Sequence, residues 1–147
     1  GGKGKTDHMK ALLSAIFSDC VKALGPASVS IMAAAAPHLL KECTADDANN
    51  RRNAAFAIGV CCEAGGAACG PMYEHFLHQL AALLQNAEEE AAVRDNAAVS
   101  YTLTSHHAPT RTLPRSAFRT LRLCRAALGK TDFHTSRSPH RADGPCG

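Results

Sequence analysis

Tryptophan is absent and aromatic residues make up only 5% of the 147-residue chain. β-Sandwiches and barrels draw heavily on aromatic and β-branched side chains, so their scarcity, with alanine abundant through residue 98, points to closely packed helices. The seven cysteines are odd in number and form no Cys-x-x-Cys pair, which argues against a disulfide framework or a zinc module. They read as small buried hydrophobes in a reducing compartment. No uninterrupted apolar run approaches the roughly 20 residues of a membrane span, and the Gly- and Lys-rich opening lacks the apolar centre of a secretory signal. The expectation is a soluble intracellular chain. Acid is the scarce charge of the last third: residues 99–147 carry eight basic and two acidic side chains, net +6, whereas residues 1–98 carry eight and eleven, net −3.

Apolar periodicity sets the organisation. Met9, Leu12, Leu13, Ile16, Phe17, Cys20, Val21 and Leu24 recur at helical spacing over residues 8 to 24, with Thr6 or Asp7 as the cap and Gly25-Pro26 as the stop. A second helix is expected over residues 28 to 43, kinked at Pro37, and a third from Asp46 or Asp47 to about Ala64, closed by Gly65 and Gly66. A fourth starts with Pro71 in its first position and carries Phe76, Leu77, Leu80, Leu83 and Leu84. Glu88, Glu89 and Glu90 open a fifth, favourable at the positive end of a helix dipole.

Two stretches repeat. Residues 48–55, ANNRRNAA, align with residues 91–98, AAVRDNAA, at a constant offset of 43 residues. The alignment sets Asp47 over Glu90, Arg51 over Arg94 and Asn53 over Asn96. In each copy an acid precedes its arginine by four positions, the favourable order on a helix. A period near 43 with two helices per unit is the signature of a HEAT-type α-solenoid, in which acid and arginine of one unit also reach the next as a ladder. Asp47, Arg51, Glu90 and Arg94 are the expected rungs, and Asn53 and Asn96 are expected in the turns between repeats. The fold read here is all-α: about five antiparallel helices over residues 1–98, followed by an irregular basic tail.

These residues resemble the importin β (karyopherin β) nuclear transport receptors, most like the importin-4 type. The segments DDANNRRNAAFAIGVCCEAGG and YEHFLHQLAALLQNAEEEAAVRDNAA match the later HEAT repeats, through Asp47, Arg51, Arg52, Asn53, Ala54, Gly59, Glu63, Val93, Arg94, Asp95, Asn96 and Ala97. The resemblance covers about residues 7 to 98, some two and a half repeats. It implies a carrier of basic protein cargo, such as histones or ribosomal proteins, moving between cytoplasm and nucleus, without catalysis or cofactor. Ran GTPase and nucleoporins would be met only through the parent receptor, so no residue here is assigned to them. The alternative is a HEAT scaffold or regulatory subunit unrelated to transport. A fragment below three repeats, without polar end caps, is expected to be marginally stable.

After Ala98 the resemblance and the charge balance are lost together. VSYTLTSHHAPTRTLP is β-branched and polar and carries Pro109 and Pro114. Val99-Ser100 can be encoded as GTGAGT or GTAAGT, forms of a 5′ splice donor, although Val29-Ser30 has the same property. Residues 99–147 are therefore read as a basic tail, disordered or non-native, the translation of a retained intron, with a genuine divergent tail as the alternative.

Other candidate sites are weaker. GGKGKT lacks the first glycine and the preceding strand of a phosphate loop and reads as a linker. Glu74, His75 and His78 are too few for a metal site, and no metal ligand is assigned. Cys61 and Cys62 have no histidine base near in sequence and read as core. Arg115, Arg119, Arg122 and Arg125, interleaved with Phe118, Leu121, Cys124 and Leu128, would make a basic amphipathic helix of the kind that meets acidic membranes, calmodulin or nucleic acid.

Overall fold

The computed structural model describes residues 2–109 and 113–129 and is all-helical, with no strand among them. Six α-helices follow one another: α1 (Gly2–Leu24), α2 (Val29–Glu42), α3 (Ala48–Gly65), α4 (Tyr73–Gln85), α5 (Ala91–His107) and α6 (Ala117–Leu128). Short 3₁₀ turns, Gly25–Ser28 and Gly66–Met72, join α1 to α2 and α3 to α4, so the helical residues fall into four unbroken stretches. The expected count of five helices is corrected.

Local chemistry explains most of the boundaries. Gly25 turns the chain with φ +55° and Pro26 follows it; Gly66, with φ +51°, does the same after α3. Both conformations penalise a side chain. Asp47 caps α3, its carboxylate accepting from the backbone N–H of Asn50 at 3.0 Å. Other expectations are displaced. α1 begins at Gly2, so GGKGKT is helical from its second residue and is neither loop nor linker; the Thr6 hydroxyl bonds back to the Gly2 carbonyl at 3.0 Å rather than capping a later start. Pro71 lies inside the 3₁₀ turn, and α4 opens at Tyr73. Pro37 lies within α2, which runs unbroken through it.

α3 packs side by side with α1 and with α5, while α2 lies on α3, α4 on α5, and α6 on both α4 and α5. Small residues permit the approach: Ala54, Ala55, Ala57 and Ala97, Ala98 are fully buried between α3 and its neighbours. Gly59 marks the tightest point, since a Cβ there would lie 2.9 Å from the Ser100 Cβ and 3.1 Å from its Cα. Larger side chains fill the space between rows: Val21, Met32, Ile58, Phe76, Leu77, Leu80 and Val93. Each contributes on the order of 1.5–3 kcal/mol by leaving water.

The boundary expected at residue 98 is not a break in the fold. α5 runs through it to His107, and residues 99–107 are not irregular. Serine, threonine and tyrosine have modest helix propensity, but Val93, Ala97, Ser100, Tyr101 and Thr104 share one buried stripe, and packing of that stripe outweighs propensity. Pro109 and Pro114 border the connection to α6 rather than interrupting a helix. α6 completes a third hairpin, burying Ala117, Thr120 and Cys124. The second helices of the three hairpins begin at Val29, Tyr73 and Ala117, spaced by 44 residues. The remainder of the basic tail, with the reading that it is disordered, lies outside the described residues.

Candidate functional site: the polar edge between helical units

The loops before α3 and α5 lie along one edge of the fold, and Arg51 ties them together. From the second turn of α3 its guanidinium grips Glu89 with two bonds, Nη2 to Oε1 at 2.7 Å and Nε to Oε2 at 2.9 Å. Its Nη1 donates to the Ala45 and Asp46 carbonyls, each at 2.8 Å. Four donor contacts thus fix one side chain in the fork geometry that favours arginine over lysine. The Glu89 side chain is 2% exposed and that of Arg51 19%. Hydrogen bonding by Arg51 holds the Glu89 carboxyl below the usual carboxylate range against the opposing effect of burial, and the same bond raises the Arg51 guanidinium further. Glu89 Oε1 also accepts the Glu90 backbone N–H at 2.9 Å, so the pair organises the entry to α5 as well.

The edge continues toward the N-terminus. The Asn50 side-chain amide donates to Asp7 at 3.2 Å, linking α3 to α1 across a chain separation of 43 residues, the offset of the sequence repeat. Lys10 pairs with Glu42 at 3.1 Å, a half-exposed contact of small energetic weight.

The predicted rungs are only partly those formed. Arg51 does bridge successive units, but to Glu89, one residue before the expected Glu90, which occupies the N-cap position of α5 without a side-chain cap. Asp47 spends its carboxylate on the cap rather than on an ion pair with Arg51. Among the described residues Arg94 forms no ion pair; it lies near enough to help lower the Glu89 pKa and lines a groove with Leu84, Asp95 and Leu123. Asn53 and Asn96 are half-buried inside α3 and α5, not in turns between repeats. Asp7, Asn50 and Glu89 were missed, although the offset of 43 connects Asp7 with Asn50 and Asp46 with Glu89.

Elsewhere the chemistry is muted. Among the described residues no three His, Cys, Asp or Glu side chains form a metal-ligand set. Glu74 and His78 line an open cavity of about 510 Å³ with Leu77, Ala81, Leu113 and Pro114. Cys43, Cys61 and Cys62 are buried, and burial pushes each thiol up to about 12. Such thiols are poor nucleophiles. The Cys69 thiol bonds the Cys61 carbonyl at 3.3 Å and lies 3.5 Å from the Met32 sulfur. α6 has its basic face: Arg119, Arg122 and Arg125 are exposed, Arg115 is exposed in the turn just before it, and Cys124 is turned inward.

Two helical stretches, Gly4–Glu42 and Ala48–Gln85, are long and apolar enough by composition to cross a membrane, with mean hydropathies of 1.4 and 1.3. Uninterrupted apolar runs are short in both because charges are scattered through them, while the average stays apolar. Each stretch turns back at a glycine-bearing 3₁₀ turn, and its most apolar 18-residue window is 22% buried in the first and 56% buried in the second. Core helices of soluble proteins have this property too.

No family model, curated protein or solved structure matches the chain.

Proposed function

We propose that the chain is a segment of a HEAT-type α-solenoid that binds proteins through its surface, and that its ligands are basic. The observation that carries the solenoid reading is the Arg51–Glu89 bridge between hairpins, beside the Asn50–Asp7 bond at the 43-residue offset of the repeat and second helices that begin at Val29, Tyr73 and Ala117, 44 residues apart. In a stacked array each unit covers its neighbour, and inter-unit polar rungs hold the register. The basic-ligand reading rests on Asp46, Glu88 and Glu90, exposed carboxylates along the same edge, with the net −3 of residues 1–98. The resemblance to the importin β receptors adds the expectation of cargo such as histones or ribosomal proteins, carried between cytoplasm and nucleus, with Ran and nucleoporins engaged only by a longer receptor. Neither catalysis nor a cofactor enters this reading.

Binding of purified core histones and of an acidic control protein, measured at moderate and high salt, tests it. Saturable histone binding that weakens with salt, without binding to the control, is the expected result. Equal indifference to both proteins favours the second reading, a scaffold unrelated to transport. Sequencing the transcript and the genomic DNA across codons 98 to 100 tests the separate proposal that the tail is translated intron: a spliced form joining Ala98 to another helical continuation supports it, and uniform read-through overturns it.

A further inference from the structure

Six of the nine large hydrophobic side chains left exposed among the described residues belong to the first hairpin. Met9, Leu12, Leu13 and Ile16 are 54%, 49%, 57% and 51% exposed and recur along one stripe of α1. Phe17, Ser18 and Val21 occupy the inward side, and Leu24 and Ile31 extend the exposed apolar surface past the turn into α2. Among the described residues α3 packs against both α1 and α5, whereas α1 packs closely on α3 and otherwise reaches α2 through the Lys10–Glu42 pair. A helix that leaves four large apolar side chains half in water along one stripe has the form of an unfilled interface.

We infer that this face is the contact of a homodimer in which α1 of one copy packs antiparallel on α1 of a second. The charges at the ends of the stripe select the partner and its direction. Lys5 stands at one end and Asp19 at the other, both exposed and neither in an ion pair among the described residues. A two-fold axis between Leu12 and Leu13 sets Met9 against Ile16 of the other copy and Leu12 against Leu13. It also brings each Lys5 within one residue of the opposite Asp19. A parallel arrangement would instead place lysine on lysine and aspartate on aspartate, which is unfavourable. The two-fold arrangement is self-complementary and closed, so assembly stops at two chains.

Sedimentation equilibrium of the full 147-residue chain across a dilution series tests the proposal. The expected result is a monomer–dimer equilibrium. Lys5→Glu alone and Asp19→Lys alone are expected to weaken it about tenfold each, and the double swap to restore it, since opposite charges again meet. Leu13→Lys, at an exposed position, is expected to give a monomer with an unchanged helical circular dichroism spectrum. A monomer at every concentration overturns the proposal. So does a dimer indifferent to Leu13→Lys, a charge swap without rescue, or open-ended association in place of a dimer. Association with neutral lipid vesicles by a chain that stays monomeric without them likewise overturns it.

Discussion

Gly59→Ala is the sharpest probe of how the chain packs beyond residue 98. In an isolated helix the substitution is favourable by about 1 kcal/mol, because glycine gives up more backbone freedom on folding. In this structure the new methyl would meet the Ser100 Cβ at 2.9 Å and its Cα at 3.1 Å, both inside ordinary contact distance. A change of rotamer moves the hydroxyl but neither of those carbons, so α3 and α5 must separate. Overpacking of this kind costs about 1–3 kcal/mol. Set against the propensity gain, the net expectation runs from no change to a loss of about 2 kcal/mol, which lowers the midpoint by up to roughly 8 °C in a domain of this size. Thermal and urea unfolding followed by far-UV circular dichroism provide the assay. Adding Ser100→Gly, which deletes the obstructing Cβ, is expected to recover much of the loss despite the cost of a second helical glycine. If Gly59→Ala instead raises stability by about 1 kcal/mol, α5 does not lie against α3 at Ser100, and the extension of the fold through residues 99–107 is wrong.

Removing one partner of the Arg51–Glu89 bridge, by Arg51→Ala or Glu89→Gln, is expected to cost about 2–4 kcal/mol, with a double-mutant cycle showing strong coupling. Because the folded carboxyl titrates below its unfolded value of about 4.3, the bridge stabilises fully above that pH and is lost as pH falls through the lower folded value; Glu89→Gln should abolish this part of the acid dependence in chemical denaturation. Among the described residues the buried hydroxyls of Tyr101, Thr104 and Ser105 make no hydrogen bond of good geometry, although Thr120 and Ser105 lie near enough to offset part of the burial that raises the Tyr101 pKa, so Tyr101→Phe is expected to be neutral or to stabilise by up to about 1 kcal/mol, and a larger loss in urea titration refutes the account. Thiol labelling should reach exposed Cys20 at once and Cys43, Cys61, Cys62, Cys69 and Cys124 only on unfolding. Burial raises those thiol pKa values, to about 12 for Cys43, Cys61 and Cys62, so folded-state stability should fall as pH rises above about 8.5, where the unfolded thiols ionise.

The buried hydroxyls of α5 explain why that helix was read badly. Ser100, Tyr101 and Thr104 give no strong apolar signal, and their propensities favour other structures, so a local reading stops at Ala98. Their spacing alone shows that they share the stripe of Val93 and Ala97. The same locality explains the near miss at the polar edge. The offset of 43 identified Arg51 and an acidic residue of the next unit, but choosing Glu89 over Glu90 depends on which carboxylate the α5 entry turns inward.

The sequence by itself determined the all-α class, an α3 start at Asp46 or Asp47, the glycine stops after α1 and α3, and the 43-residue repeat. Each of these follows from interactions within a few residues, or from a spacing that survives without coordinates. Tertiary structure alone decided that α5 crosses residue 98, that α6 closes a third hairpin, and that Glu89 is the buried rung. It also decided that Met9, Leu12, Leu13 and Ile16 face outward, because an apolar stripe states that a helix requires a partner while only the packing of all the helices shows whether one is there.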